Sequence, residues 1–483
     1  MAEDIYDKLS DPLALTIFII TLLIPVAVGL LAMMRTRSQS DFFIGGRAMG
    51  AFVVGLSAVS SGRSSWLVLG VSGMAYVSGV GAIWAIAGYT MVEAWQFIYL
   101  GRRLRNESQK YDSITLLDYF ESRFNDKAGL LRITGVVIIA VFITAYVAAQ
   151  FNAGAKSLST AMDMSLVLAL AISGLLVMVY MVLGGYVAVA YNDVVRALIM
   201  LVGLVVLPVV GLVNIGGIAV LVEMILQLNP AHLDFFSLGT GVIIGFIGIG
   251  LGSPGQPHMV IRYMSIKDPV QLKYSAIFGT CWNIILGIGA VSIGLVGRIL
   301  VPDTGRLPDG DPEMIYLVLS SGYFGPVLYG LLVGGVFAAI LSTADSQLLV
   351  VASTFVRDLY EKVLARKRVI SETRKLYLSR AVVILSGILA LVLAYMAENL
   401  VFWLVLFAWG GLGASFGPAL IMSLFWKGVT REGVAAGMIG GALICIGWYL
   451  WFKEQTGVYE LIPAFSGALI LIVIVSLLTR ERN

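Results

Sequence analysis

The sequence predicts an all-α integral membrane protein with about thirteen transmembrane helices. Hydrophobic residues make up 59% of the 483 residues and charged residues only 13%, about half of the charged fraction that a soluble domain carries. Apolar runs long enough to span a bilayer recur along the whole chain. Because backbone groups in lipid must satisfy one another's hydrogen bonds, such runs must be helices. Two runs also contain dense Gly and Ser clusters at matching positions.

The apolar runs define the predicted spans in chain order. They lie at residues 13–34, 49–77, 79–100, 130–155, 165–184, 189–213, 237–254, 274–301, 324–352, 378–397, 400–425, 432–452 and 461–479. We interpret residues 1–483 as one transmembrane domain. Its expected parts are a peripheral helix at 13–35, five-helix repeats at 48–213 and 237–425, and two peripheral helices at 432–479.

The distribution of Lys and Arg predicts the orientation, because basic loops stay in the cytoplasm. The loops at 35–47, 102–127 and 357–380 are basic, as is the tail with Arg480 and Arg482. The opposite loops carry few basic residues, and 302–313 is acidic. We therefore expect a multi-pass protein of the plasma membrane with its N-terminus outside and its C-terminus inside.

Two predicted spans are interrupted by small and polar residues at membrane depth. One reads GLSAVSSGRSSWLVLG (55–70) and the other IGFIGIGLGSPGQPH (244–258). They are members one and six of a ten-span set, which is the spacing that two inverted repeats with broken first helices produce. Gly and Ser could instead serve tight helix packing, but that explains two dense clusters at matching positions poorly. The pattern favours a site for a small solute and ions.

A third polar cluster lies on the ninth span. It consists of Ser342, Thr343, Asp345, Ser346 and Gln347. Residues three or four apart share one face of a helix, and hard cations prefer hydroxyl and carboxylate oxygens. The cluster therefore predicts a cation site.

Charged residues inside membrane spans are costly and indicate function by default. The sequence places Arg63 in the first broken helix and Asp345 in the ninth span, and we interpret both as functional. Asp193 and Arg196 could form a local i, i+3 ion pair. Glu93, in the third span, could also be functional, but we favour its interpretation as a buried or protonated packing residue.

The remaining features argue against enzyme and nucleic-acid functions. Cys281 and Cys445 lie in apolar runs without neighbouring metal ligands, and neither His232 nor His258 has a catalytic partner at useful spacing. His258 is interpreted as a structural residue. The net charge of +3 carries no message about nucleic acid. We expect no cofactor other than a coupling ion.

With these motifs in hand, the chain resembles the sodium/solute symporter family, and most closely its bacterial sodium/proline symporters. The motifs are DFFIGGRAMG (41–50), LSAVSSGRSSWLVLG (56–70), LLDYFESRF (116–124), GGYVAVAYNDVVRALIM (184–200), GLGSPGQPHMVIRYM (250–264), AAILSTADSQLLVVASTFVRDLY (338–360) and the run from Phe407 to Ala442. The resemblance implies thirteen helices around a leucine-transporter-like five-plus-five inverted-repeat core.

The resemblance also implies ligands for sodium and for the solute. The sodium site would use the carbonyls of Ser60, Arg63 and Ala339 and the hydroxyls of Ser342 and Thr343. A possible second cation site would use Asp193, Ser342, Asp345 and Ser346. The solute pocket would include Ser61, Ser64, Trp66, Gly70, Tyr146, Ile249 and Ser253.

The chain departs from that family's pattern at the first break. Proline symporters resemble SDMSGW there, whereas this chain has SGRSSW, so Gly62 replaces an acidic residue and Arg63 follows it. Three hypotheses stay open. Arg63 could swing toward Asp345 or Asp193 and replace a cation, Asp345 could compensate for the lost acid, or Arg63 could bind a solute carboxylate.

The resemblance implies sodium-coupled uptake of a small organic solute across the lipid bilayer, with proline or a related amino acid expected. We take a functional monomer as the default. An alternative is a sodium-independent or proton-coupled transporter in which Arg63 replaces a cation. An alternative of another class is a transporter-like membrane sensor, which would need a separate signalling partner.

Overall fold

The computed structural model of the protein describes residues 11–33, 39–183, 186–365, 370–396 and 401–480. Regular structure within these residues is helical, and the β-type pairing described is an isolated parallel bridge between Met49 and Ile266. The predicted all-α class is therefore confirmed for this part of the chain. The α-helices are Pro12–Met33, Gln39–Ile44, Ala51–Gly62, Ser72–Ser78, Ile83–Trp95, Gly101–Lys110, Leu116–Phe124, Leu130–Met162, Leu166–Leu183, Tyr186–Ile215, Ile218–Leu228, Thr240–Gly248, Pro257–Ser265, Leu272–Leu300, Ile315–Tyr323, Pro326–Ser353, Glu372–Met396, Val401–Phe425, Arg431–Trp451, Lys453–Thr456 and Leu461–Thr479.

In the described ranges, nine helical stretches are long and apolar enough to cross a membrane. They are Trp66–Lys110, Leu130–Met162, Tyr186–Ile215, Pro269–Leu300, Pro326–Leu364, Tyr377–Met396, Val401–Phe425, Arg431–Trp451 and Leu461–Thr479. Shorter apolar helices accompany them, including Ala51–Gly62 and Thr240–Gly255. The total of thirteen stays a prediction. Part of the difference follows from the two breaks, which cut predicted spans into pieces below the length of a full span.

The outer faces of the long helices suit lipid. In Leu272–Leu300, the side chains of Ile277, Ile284 and Ile288 are 59%, 43% and 52% exposed. These positions are seven and four residues apart, so they form one apolar stripe along the helix. Exposed isoleucines in such a row would be unfavourable in water and are favourable against acyl chains.

The first broken segment comprises residues 51–78. Its α-helix Ala51–Gly62 ends at Arg63, whose φ of −113° and ψ of 45° are not helical. The chain resumes as a π-helix at Trp66–Val71 and continues as Ser72–Ser78. Gly has low helix propensity and Ser side chains compete for backbone hydrogen bonds, so the sequence SSGRSS interrupts the helix where predicted.

The second broken segment comprises residues 240–265. Its α-helix Thr240–Gly248 gives way to a 3₁₀ stretch at Ile249–Gly255, and Gln256 is extended with φ −89° and ψ 105°. A new helix then starts at Pro257, where a missing N–H is tolerated. The second predicted break is therefore also confirmed.

The helix Pro326–Ser353, here termed the hydroxyl-rich helix, carries the predicted cation-site residues and is largely buried. Its side chains from Leu332 to Ser353 are buried. It contacts Ala51–Gly62 of the first broken segment, Tyr186–Ile215 and Leu130–Met162. The polar face that the sequence assigned to a cation site therefore lies inside the protein and away from lipid.

Several residues that support the orientation lie outside the described residues. These are Arg35, Arg37, Arg366, Lys367, Arg368 and Arg482. The predicted orientation of the two termini therefore stays a prediction.

Candidate ion and solute site

Oxygen atoms of the first broken segment and of the hydroxyl-rich helix converge at one buried point. The Ser342 hydroxyl lies 3.2 Å from the carbonyl oxygen of Ser60 and 2.8 Å from that of Ala339. Beside it, the Thr343 hydroxyl lies 3.0 Å from the carbonyl oxygen of Ser61. All five residues are buried. Uncharged carbonyl and hydroxyl oxygens are ligands of hard cations, so this arrangement can hold a small hard cation.

Arg63, in the first break, is held by side chains of the helices Ile83–Trp95 and Leu272–Leu300. Its Nη2 forms an ion pair with Glu93, its Nε donates to Oδ1 of Asn283 at 3.0 Å, and its guanidinium carbon lies 3.5 Å from the ring centroid of Tyr89. The side chain is 1% exposed. The hypothesis that Arg63 pairs with Asp345 or Asp193 is not the arrangement observed, because Glu93 supplies its counter-ion at the break itself.

Glu93 is buried, as expected, and it is also an ion-pair partner, which its interpretation as a packing residue did not include. Its carboxylate accepts from Arg63, from Nδ2 of Asn283 at 2.7 Å and from the Ser253 hydroxyl at 3.2 Å. Arg63 belongs to the first break and Ser253 to the second. Glu93 therefore joins the two breaks. Sequence spacing gave no signal for this pairing, because the partners lie 30 and 160 positions away.

The expected solute residues of the first broken segment form one layer. Ser64 and Tyr146 are hydrogen-bond partners, and the backbone N–H of Trp66 donates to the Ser64 hydroxyl at 3.2 Å. The Trp66 ring stacks on Phe402 with centroids 5.6 Å apart and meets Tyr89 edge to face at 6.0 Å. This layer offers aromatic walls beside the Arg63–Glu93 pair.

Gly70 and Ile249 extend the same layer toward a cavity. A Cβ on Gly70 would lie 3.2 Å from the Phe402 ring, so the glycine permits that close approach. The carbonyl oxygen of Ile249 accepts from Nε1 of Trp409 at 2.8 Å. Ile249 also lines a cavity of about 290 Å³. Its other lining residues are Val242, Gly245, Phe246, Trp403, Leu406, Lys453, Glu454, Gly457 and Tyr459.

The residues expected to form a second cation site enclose two guanidinium groups. Nη2 of Arg262 lies 3.0 Å from Oδ2 of Asp193 and 2.6 Å from the Ser346 hydroxyl. The Ser57 hydroxyl donates to the same Asp193 oxygen at 2.6 Å. Nη1 of Arg262 donates to the backbone carbonyl of His258. Arg262 thus crosslinks the second broken segment to three other helices.

Arg196 neutralises the carboxylate of Asp345, the other acidic residue of the expected second cation site. Its Nη1 lies 2.5 Å from Oδ2 of Asp345 and 3.9 Å from Oδ1 of Asp193. The predicted local pair with Asp193 is thus the longer of the two contacts. The two buried Asp and two buried Arg side chains sum to zero formal charge. Both carboxylates are therefore already neutralised, and no negative charge is left to balance an added cation.

His258 contributes through its backbone. Its carbonyl binds Arg262, its ring meets Tyr146 edge to face at 6.1 Å, and both ring nitrogens are without hydrogen-bond partners among the described residues. The described residues also contain no group of three or more His, Cys, Asp or Glu side chains able to hold a metal ion.

Comparison of the sequence with known protein families assigns the chain to one of them. The sequence profile of the Sodium:solute symporter family matches residues 42–441. The chain belongs to the sodium:solute symporter family. Together with the nine apolar spans, this membership makes it a multi-pass protein of the plasma membrane.

Two similar members of this symporter family are named for proline. The chain is 35% identical over 473 residues to the osmoregulated proline transporter OpuE of Bacillus subtilis (strain 168), which covers 97% of this chain and 95% of that protein. It is 34% identical over 455 residues to the sodium/proline symporter of Staphylococcus aureus, with 92% and 89% covered.

Solved structures share the fold of this symporter. A Na⁺-coupled sialic acid symporter in a substrate-bound, outward-open state superposes with a TM-score of 0.82 at 19% identity, covering 96% of this chain and 97% of the other. Mhp1, a nucleobase-cation-symport-1 family transporter, superposes with a TM-score of 0.55 at 14% identity, covering 92% and 96%. At these identities the likeness shows the fold alone.

Arg262 is a buried ion-pairing residue to which the sequence assigned no role beyond its place in the quoted motif. It is fully buried, four residues after His258 in the run PHMVIRYMS, which is otherwise largely apolar. A cation among buried apolar neighbours needs a counter-ion, and this signal could have flagged it. Its partner Asp193 is 69 positions away, so spacing could not have supplied the pairing.

Proposed function

We propose that this protein is a secondary active symporter that couples sodium influx to the uptake of a small organic solute, with proline or a related amino acid as the substrate. Family membership and the two relatives named for proline support this proposal. Thirteen helices with a five-plus-five inverted-repeat core, an outer N-terminus and an inner C-terminus complete the proposed architecture. The two helix breaks at matching repeat positions support the repeat assignment.

The observation that carries the proposal is the convergence of Ser60, Ala339 and Ser342 oxygens on one point. Sodium at this point would be coordinated by both the first broken segment and the hydroxyl-rich helix. Two segments that share an ion are held in one relative position. Because the first broken segment also carries Ser64 and Trp66, that position would order the solute pocket.

Coupling then follows from linkage. A conformation that binds sodium well also binds the solute well, so each ligand raises the affinity of the other by the same factor. The sodium gradient thereby drives accumulation of the solute. In this mechanism the sodium ion is a transported substrate of the protein.

The charge balance of the second expected site supports transport of one sodium ion per solute. Arg196 and Arg262 already neutralise Asp345 and Asp193. The sodium-independent alternative required Arg63 to act as an internal cation at these carboxylates, and Arg63 is instead paired with Glu93. The geometry therefore favours the sodium-coupled proposal, with Arg196 and Arg262 in place of a second ion.

The direct experiment is uptake of radiolabelled proline into proteoliposomes that contain the purified protein. An inward sodium gradient should produce accumulation above equilibrium, and replacement of sodium by choline should abolish it. A proton gradient in choline serves as the discriminating condition. Accumulation driven by protons without sodium would reject sodium coupling. Absence of proline uptake, together with uptake of another solute, would reject the proposed substrate.

A further inference from the structure

We infer that the Arg63–Glu93 ion pair is the receptor for the charged head of the solute. The solute class is then a zwitterionic α-amino or imino acid, with its carboxylate on Arg63 and its ammonium group on Glu93. The inference deepens the proposed function and rests on it. It assigns to Glu93 a role that neither the motif nor the expected pocket contains.

The position of the pair fits a receptor. Arg63 is the non-helical residue of the first break, and Glu93 accepts a hydrogen bond from Ser253 in the second break. Both ionised side chains are 1% exposed. Solute held here would contact both broken segments at once, which is what a site shared by two repeats requires.

The guanidinium retains capacity for a carboxylate. An Arg side chain has five N–H donors, and the hydrogen bonds to Glu93, Asn283 and the Gly62 carbonyl account for three of them. Carboxylates bind the planar guanidinium group through two parallel N–H donors. Two N–H groups therefore suffice for the solute.

Two further buried donors lie near the pair and are without hydrogen-bond partners among the described residues. They are the hydroxyl group of Tyr89 and Nε1 of Trp66. Tyr89 lies against the guanidinium, and Trp66 packs on Tyr89. Buried polar atoms in native proteins normally have a hydrogen-bond partner. Their excess of donors matches the acceptors of a carboxylate.

The aromatic walls fit a small apolar ring or side chain. Phe402 covers Trp66, and Phe246 packs on Phe402 with centroids 6.0 Å apart. Phe246 in turn lines the same cavity of about 290 Å³ as Ile249. A small solute in that cavity is separated from the ion pair by the Phe402 and Trp66 rings, whose movement would admit it.

The requirement that the buried site stay electrically neutral should make it selective for zwitterions. The Arg63–Glu93 pair is neutral as a whole, so a zwitterion adds two opposite charges and leaves no excess. A lone anion or lone cation would leave one buried charge uncompensated, which is costly. The site should therefore reject molecules that carry only one of the two charged groups.

The test measures binding of three ligands of similar size to purified protein at saturating sodium. L-Proline is the zwitterion, cyclopentanecarboxylate the anion and pyrrolidine the cation. For the wild type we expect proline to bind at least about tenfold more tightly than either analogue. Glu93→Gln should weaken proline binding and strengthen cyclopentanecarboxylate binding. Arg63→Gln should weaken proline binding and strengthen pyrrolidine binding.

The matched controls are Glu107→Gln and Lys110→Gln, which remove the same charges from a solvent-exposed pair 3.5 Å apart. They should keep the wild-type ranking of the three ligands. A cooperative thermal unfolding transition like that of the wild type confirms that each variant is folded.

Opposite changes in ligand preference would support the receptor, because a structural ion pair has no reason to produce them. If the wild type prefers proline and both variants keep that ranking, or lose all three ligands alike, the inference is overturned and the proposed function stands. If the folded wild type does not bind proline, the proposed substrate and this inference fail together.

Discussion

The hydroxyl of Ser342 lies 3.2 Å from the carbonyl oxygen of Ser60, 282 positions earlier in the chain. Ser60 lies in the last turn of the helix before the first break, and Ser342 lies in the hydroxyl-rich helix. Each helix by itself offers too few oxygens for a cation. The proposed sodium site therefore lies where the first broken segment and the hydroxyl-rich helix meet.

Replacement of Ser342 by Ala should weaken sodium binding. The variant removes a hydroxyl oxygen of the proposed coordination shell and leaves the Ser60 and Ala339 carbonyls in place. We expect the sodium concentration for half-maximal uptake to rise at least about tenfold, as for loss of a hydrogen-bonding or ligating group worth above 1.4 kcal/mol. Initial rates of uptake against sodium concentration provide the measurement.

Ser353→Ala is the matched control for that variant. The Ser353 hydroxyl also donates to the carbonyl three residues earlier, at 2.9 Å, on the same helix. It should leave the sodium dependence unchanged. Equal shifts in both variants would mean that loss of a helical serine, and not loss of an ion ligand, causes the effect.

Removal of one member of the Arg196–Asp345 pair should destabilise the protein strongly. Arg196→Gln leaves the fully buried Asp345 carboxylate without its 2.5 Å partner, and breaking a buried pair costs about 3–5 kcal/mol. The double variant Arg196→Gln with Asp345→Asn should recover much of this loss. Thermal unfolding in detergent measures both variants. Additive effects of the two changes would contradict the pairing.

Gly250→Ala should disturb the packing of the second break. A Cβ there would lie 2.2 Å from the carbonyl oxygen of Gly88, a backbone atom of the third span. Overpacking of this kind costs about 1–3 kcal/mol, so we expect a lower unfolding temperature and reduced uptake. Gly239→Ala, with no atom within 4 Å of its Cβ, should retain both properties. Similar losses in the two variants would argue against close packing at the break.

Glu313 should make the stability of the protein depend on pH. Its carboxylate accepts from the N–H groups of Val401 and Phe402 at 3.1 and 2.9 Å, and burial raises its pKa above the ordinary value of 4.5 despite the nearby Lys156. The folded protein then holds the proton more tightly than the unfolded chain. The stabilising contribution of Glu313 should therefore be fully present below about pH 4.5 and be lost as pH rises through the raised pKa.

Unfolding temperatures between pH 4 and pH 8 test this contribution, with Glu313→Gln as the variant that lacks it. The wild type should lose more stability than Glu313→Gln across that window. The exposed Asp309 provides the control Asp309→Asn. Parallel pH profiles for the wild type and Glu313→Gln would exclude Glu313 as the titrating group.

The sequence predicted the breaks and the polar cluster on the ninth span because their causes are local, whereas the other sodium-site candidates came from the family resemblance. SSGRSS and GLGSPGQP disfavour continuous helix through the conformational properties of Gly, Ser and Pro. Ser342 and Thr343 are apparent as hydroxyls in an apolar run. The membrane class likewise follows from composition and run length.

The ion pairs could not be predicted in the same way. Arg63 meets Glu93, and Arg196 meets Asp345, only after helices distant in sequence pack together. Periodicity shows which residues share a face of one helix, but not which helix faces it. The hypothesis of an ion pair for Arg63 therefore named Asp345 and Asp193 and missed Glu93.

The affinity for proline, measured by equilibrium binding with sodium and with choline, tests coupling through the Ser60–Ser342 contact most directly. In the wild type, sodium should increase proline affinity by about 5–150-fold, the usual range of coupling between two sites. In Ser342→Ala the affinity at the same sodium concentration should approach the value in choline. Wild-type affinity that is equal in sodium and choline, or full sodium enhancement in Ser342→Ala, would contradict the account.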